Sequence, residues 1–210
     1  MKNSIILILL FASATVFSQS SLGFHDYEID KFFRVGINAG VNINKIQGKS
    51  FTNEYSYNYG VRGFMQFNFS RKLGVQPEIG FSQSSAKQSN DYSDIWDQIS
   101  SGGDQLKVKL NYLKFGGLIN YNLGPTTRIK LQLGPQWGML LSEKVDSLKT
   151  PQDIFKKGDF SLAAGILFEL PIIHVGARFE QGLTNINAIN DRDKWKNQSF
   201  QLFMGIMIFQ

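Results

Sequence analysis

The sequence predicts an all-β protein, an eight-stranded antiparallel up-and-down transmembrane β-barrel with a polar lumen, short periplasmic turns and long outer loops. Three observations carry that expectation. Apolar and polar residues alternate with a period of two along eight segments, the apolar faces hold no Asp, Glu, Lys or Arg, and the connections alternate between short and long.

The first segment is "VGINAGVNIN" at 35–44, apolar at Val35, Ile37, Ala39, Val41 and Ile43 with only Gly and Asn between. The second sets Tyr59, Val61, Met65, Phe67 and Phe69 against Gly60, Arg62, Phe64, Gln66 and Asn68. The third opposes Leu73, Val75, Pro77, Ile79 and Phe81 to Gly74, Gln76, Glu78, Gly80 and Ser82. In the fourth, Leu113, Phe115, Ile119, Tyr121 and Leu123 face away from Tyr112, Lys114, Gly116, Leu118, Asn120 and Asn122. The fifth carries Ile129, Leu131, Leu133, Pro135, Trp137, Met139 and Leu141 opposite Lys130, Gln132, Gly134, Gln136 and Gly138. The sixth places Phe160, Leu162, Ala164, Ile166 and Phe168 against Ser161, Ala163, Gly165, Leu167 and Glu169. The seventh places Ile173, Val175, Ala177 and Phe179 against His174, Gly176, Arg178 and Glu180. The last has Phe200, Leu202, Met204, Ile206 and Ile208 on one side, with Phe203 and Met207 intruding on the other.

Such sorting fits either a soluble barrel with its apolar side inward or a membrane barrel with that side toward lipid. Two features favour lipid. The polar face is mostly Gly, Asn, Gln and Ser, residues suited to a crowded interior rather than to bulk water. The bulky Phe, Trp, Met and Leu of the other face would overfill an eight-stranded bore, which is just wide enough for side chains. Pro77 and Pro135 each remove a ladder donor, so a bulge or a missing bond is expected at each. Tyr57, Tyr59, Phe69, Tyr121 and Trp137 are expected at membrane interfaces.

Length and composition fit one domain. The chain has 210 residues, 42% of them hydrophobic, with 20 Gly and 18 Phe. Its formal charge of +5 comes from Lys and Arg scattered between acids, so no nucleic-acid partner is expected. With no Cys there is no disulfide scaffold. Lys2 followed by a short apolar run to Phe17 reads as a signal peptide over 1–18, leaving a periplasmic segment over 19–32 and the barrel domain over 33–210.

The lumen faces hold Arg62, Lys114, Lys130 and Arg178 against Glu78, Glu169 and Glu180. Charges in a narrow interior require pairing, so these groups are expected to interleave as a network that fills the bore, with His174 beside Glu169 at the periplasmic rim. No nucleophile adjoins His174, and no phosphate-binding loop or metal-ligand cluster occurs; no catalytic, cofactor or metal site is expected. The long loop after the third segment carries Asp91, Tyr92, Asp94, Trp96 and Asp97, and Trp195 lies in the last loop; these are candidate loop contacts for a protein or glycan partner.

The words "LGVQPEIGFSQSSAK" (73–87), "LNYLKFGGLINYNL" (110–123), "GLTNI" (182–186) and "SFQLFMGIMIF" (199–209) resemble the PorT-like outer-membrane β-barrel family of small Gram-negative envelope proteins. In that family's usual pattern an acid stands where this chain has Lys114 and a Pro where it has Gly116. The resemblance spans nearly all of the mature chain and implies outer-membrane localisation. Its family name comes from a member associated with protein secretion and gliding, and the family offers no catalytic residues.

The expected function is therefore a non-enzymatic outer-membrane barrel, monomeric and without cofactors, in contact with outer-membrane lipid and lipopolysaccharide. Its loops would bind a partner or assist an envelope machine. A small-solute porin-like channel and a soluble exported barrel holding an apolar ligand are the alternatives.

Overall fold

Eight antiparallel strands close into a barrel in which each strand pairs with its sequence neighbours and the last pairs with the first. They are β1 (Phe33–Gln47), β2 (Ser56–Asn68), β3 (Leu73–Lys87), β4 (Lys107–Leu123), β5 (Ile129–Val145), β6 (Gly158–Glu169), β7 (Ile173–Gly182) and β8 (Lys196–Phe209). This computed structural model describes residues 32–89, 107–123, 128–145, 154–189 and 193–209. The expected signal peptide and most of the segment over 19–32 lie outside the described residues, as do Asp91, Tyr92, Asp94, Trp96 and Asp97. Connections 69–72, 124–128 and 170–172 lie at the same end as the start of β1 and the end of β8, and connections 48–55, 88–106, 146–157 and 183–195 at the other.

Period-two alternation in a closed sheet sends one residue set inward and the other outward. Here the outward set is the apolar one: Leu133 is 52% exposed, Ile119 55% and Leu202 56%. On β5 this outward set runs from Ile129 to Leu141. Twelve steps at roughly 3.3 Å span about 40 Å of strand, or about 30 Å along the axis at a tilt near 40°, which matches a hydrocarbon core. Phe69 and Tyr121 lie toward the short-turn end and Tyr57 and Tyr59 toward the long-loop end, all exposed.

Both prolines interrupt a ladder on one side. Pairing of β2 with β3 runs to Phe64–Glu78 and resumes at Phe67–Val75, so Pro77 is skipped. Pairing of β4 with β5 runs to Gly116–Gln136 and resumes at Ile119–Leu133, skipping Pro135. On its other side Pro77 is opposite Gly117, so the two interruptions fall on adjacent strands. A groove of about 350 Å³ opens on the outer wall at the first of these, beside Pro77, lined by Val35, Ile37, Gly63, Met65, Pro77 and Ile79. At the second interruption Gly134 is required, because a Cβ on it would meet the carbonyl of Gly117.

Several strands continue well past the segments that alternation marks at the long-loop end, and there the polarity inverts. Lys45, Lys107 and Lys109 take outward positions, while Ile46, Val108 and Leu110 point inward and are at most 1% exposed. Beyond the hydrocarbon band the barrel has water outside, so its apolar side chains turn in, as in a soluble β-protein.

Candidate functional site

The interior divides into ionic layers along the bore. Nearest the short turns, Glu169 on β6 receives Lys130 Nζ at 2.8 Å and also pairs with Arg34 Nη1 from β1. At mid-height Glu78 on β3 is the hub. Arg178 donates to it through both Nη1 and Nη2, at 2.6 and 3.2 Å, and Gln136 Nε2 donates at 2.9 Å. Arg62 Nε stands 3.8 Å from the same carboxylate. Closer to the loops, Glu180 on β7 pairs with Lys114 Nζ and accepts from Ser161 Oγ at 2.6 Å and Gln201 Nε2 at 2.8 Å. Above it the buried Asp159 accepts from Asn197 Nδ2 at 2.7 Å and Thr184 Oγ1 at 3.1 Å.

Amides tie these layers together. Gln132 accepts from Arg178 at 3.2 Å and donates to Asn120 and Gln76 at 2.9 and 3.2 Å. Glycines make room for the long side chains: Gly116 lies against the Gln136 amide and Gly205 against the His174 ring. A cavity lined by Asn44, Ser84, Tyr112, Lys114, Glu180 and Asn197 measures only about 10 Å³, room for one water molecule at most.

The structure thus places Arg62, Glu78, Lys114, Lys130, Glu169, Arg178 and Glu180 in the lumen and joins each to a group of opposite sign. His174 departs from the expected arrangement. It stands opposite Glu169 in the β6–β7 register, but that carboxylate is taken by Arg34 and Lys130, and His174 Nδ1 has no hydrogen-bond partner. The imidazole instead packs edge-on against Phe64, with ring centroids 5.1 Å apart. Arg34 and Asp159 escaped the sequence reading because each lies one residue before the first apolar position taken as the start of its segment. Extending the alternation by one step in either strand finds them.

The long-loop mouth is closed by an apolar cap. Ile46, Phe51, Ala86, Val108, Leu110, Tyr112, Ile154, Phe155, Ile186 and Trp195 form one buried cluster. Trp195 sits centrally, its ring centroid 4.9 Å from Phe51 and 5.4 Å from Phe155. Expected as a loop contact, Trp195 has no exposed surface to offer a partner, because burying its large ring supplies the apolar seal of the mouth.

Polar clamps hold the cap. The Asp193 carboxylate accepts from Lys49 N at 3.2 Å, Ser50 N at 3.1 Å, Ser50 Oγ at 2.7 Å and Trp195 Nε1 at 2.9 Å. Burial alone would raise its pKa; the Ser50, Trp195 and Lys49 hydrogen bonds outweigh that and hold it below the usual carboxylate range. Glu143 receives the Ile154 and Phe155 amides at 2.9 and 3.1 Å. Bridges of Phe51 with Gln88 and Phe155 with Asn187 add short ladders between loops. Among the described residues, no group of three or more His, Cys, Asp or Glu side chains is placed to hold a metal ion.

A wall apolar outside and ionic inside, closed by eight strands with long connections at one end, defines a small membrane-spanning barrel of the outer-membrane class. The chain belongs to the outer membrane protein beta-barrel domain family, whose model matches residues 17–188, and its place is the bacterial outer membrane. Among solved structures it is similar to Ail, the attachment invasion locus protein of Yersinia pestis, with 12% identity and a TM-score of 0.48 over 83% of this chain and 98% of that one. It is also similar to Neisserial surface protein A, with 12% identity and a TM-score of 0.45 over 84% and 97% of the two chains. OprG from Pseudomonas aeruginosa gives 10% identity and a TM-score of 0.45 over 84% and 96%. Comparison with curated protein sequences gives no match.

Proposed function

We propose that the protein is a closed, non-enzymatic scaffold that fixes its outer loops at the cell surface for contact with a protein or glycan partner. One observation carries this reading: the bore is obstructed twice, by the Glu78 hub at mid-height and by the Trp195 cap at the mouth. A solute path would have to break buried ion pairs and then displace an apolar core, two costs that a channel with a water-filled lumen does not bear. Clamps such as Asp193 to Ser50 also hold described loop segments to one another, which suits presentation of a fixed surface.

Planar-bilayer recording of the folded chain tests the reading. No discrete conductance is expected from the natural sequence, and reproducible channel steps would replace the scaffold with a small-solute pore. Deleting residues 90–105 should remove a captured partner, whereas unchanged partners would exclude that loop as the contact.

A further inference from the structure

The strand extensions carry a second surface on their water side. Across β3 and β4, Lys87 stands directly opposite Lys107, and across β4 and β5, Lys109 stands directly opposite Lys144. Like charges placed directly opposite in a ladder destabilise it, so two such pairs on three adjacent strands are costly unless an anion offsets them. Lys87 is paired with Glu54 at 2.8 Å. Lys107, Lys109 and Lys144 are exposed and have no acidic partner among the described residues.

Their height is as informative as their charge. On the outward face of β4 the order toward the loop end is Phe115, Leu113, Asn111, Lys109 and Lys107. Leu113 belongs to the apolar band. Asn111 accepts from Gln83 on β3 at 2.8 Å and donates to Ser142 on β5 at 2.9 Å, forming a polar row across the three strands. The lysines stand above that row. From Leu113 to Lys109 is four residues, or about 10 Å along the barrel axis at the usual rise and tilt, which reaches the headgroup zone outside the hydrocarbon. Behind the lysines, Val108 and Leu110 anchor the wall in the apolar cap. The surface is therefore held by the barrel rather than by loop conformation.

We infer that Lys107, Lys109 and Lys144, with the Asn111–Ser142 row beneath them, bind the phosphorylated sugar headgroup of an outer-leaflet glycolipid. The layers match its parts in order: acyl chains against Leu113 and Phe115, sugar hydroxyls at the amide and hydroxyl row, and phosphate at the ammonium groups. The site rests on the outer-membrane placement of the long-loop end but not on a closed bore, so its failure would leave the conductance result unaffected.

The test uses the full mature chain folded into phosphatidylcholine vesicles, with binding of lipid A, an acylated glucosamine disaccharide carrying phosphate, compared with its dephosphorylated form. The triple variant Lys107→Gln/Lys109→Gln/Lys144→Gln is set against an equal charge change elsewhere on the loop end, Lys157→Gln/Lys194→Gln/Lys196→Gln. Near a membrane surface each lysine contributes enough that losing three should weaken binding by about 100-fold, and the single Lys109→Gln by about fivefold. The control triple should lose less than about threefold on the same scale. Heat-dependent gel mobility reports folding, and in neutral detergent the cluster variant should be at least as stable as the natural chain because its like-charge pairs are gone.

Equal losses in the two triples would overturn the site in favour of general charge attraction. Undiminished binding of the dephosphorylated lipid would reduce the contact to acyl chains. Equal competition by phosphatidylglycerol or inorganic phosphate would remove the claim on a glycolipid.

Discussion

Replacing Glu78 by Gln takes one negative charge from the point where Arg178, Arg62 and Gln136 converge while keeping the side-chain shape. The carboxylate is buried, accepts two hydrogen bonds from Arg178 and one each from Gln136 and Gln76, and forms an ion pair with Arg62. Removing one member of a buried pair leaves the other charge uncompensated and costs about 3–5 kcal/mol. With a urea dependence of about 2 kcal/mol per molar, the unfolding midpoint should fall by roughly 2 M. Urea titration of the vesicle-inserted protein, followed by intrinsic fluorescence and gel mobility, reads this directly. The double variant Glu78→Gln/Arg178→Gln should recover at least about 1 kcal/mol relative to the sum of the two single changes, since it removes the stranded charge as well. A loss below about 1 kcal/mol for Glu78→Gln, or strict additivity in the double variant, would refute the hub.

Other perturbations probe separate layers. Trp195→Ala should cost about 3–5 kcal/mol by emptying the cap, measured by the same titration, yet leave the bilayer non-conducting because the ionic layers remain. Asp193 is held below its ordinary pKa, so its contribution to stability is fully present above the unfolded value near 3.8 and is lost as pH falls through the lower folded value. Hydrogen exchange at the Lys49 and Ser50 amides, taken relative to the intrinsic amide rate at each pH, should therefore accelerate below about pH 4 in the natural chain. In Asp193→Asn that acceleration should be absent and exchange should be fast at neutral pH; slow exchange at neutral pH would disconnect the clamp from the cap. Gly134→Ala should lower the folded fraction on gels because its methyl group meets the Gly117 carbonyl, and an unaffected yield would mean that the wall there yields easily.

The membrane-spanning half of the barrel is legible in the sequence because a single rule governs it: lipid outside and a crowded polar bore inside force strict alternation. That rule ends where lipid ends. Above the band, Val108, Leu110 and Ile46 face inward and Lys109, Lys107 and Lys45 outward, so the same strands continue with their chemistry reversed, and a reader of alternation stops at the inversion. Trp195 looked like a surface aromatic for the same reason. Nothing local in its loop announces that Phe51, Phe155 and Val108 converge on it from other segments.

Lumen composition was readable in Arg62, Glu78, Lys114 and Arg178, but the pairing was not. Lys114 meets Glu180 across 66 residues and Arg178 meets Glu78 across 100, contacts set by strand stagger around the closed wall rather than by neighbouring sequence. His174 shows the same limit. Adjacency to Glu169 in register suggested a pair, while competition from Arg34 and Lys130 decided the outcome.

A spin-label scan along β4 in vesicles tests the central claim, a greasy-walled barrel with a filled bore and an apolar cap, most directly. Labels at Phe115 and Ile119 should be reached by membrane-dissolved oxygen, labels at Lys107 and Lys109 by a water-soluble nickel chelate, and labels at Leu110, Lys114 and Leu118 by neither. Nickel access at Lys114 and Leu118 would expose an open aqueous bore, and oxygen access at those positions with protection at Phe115 would turn the barrel inside out.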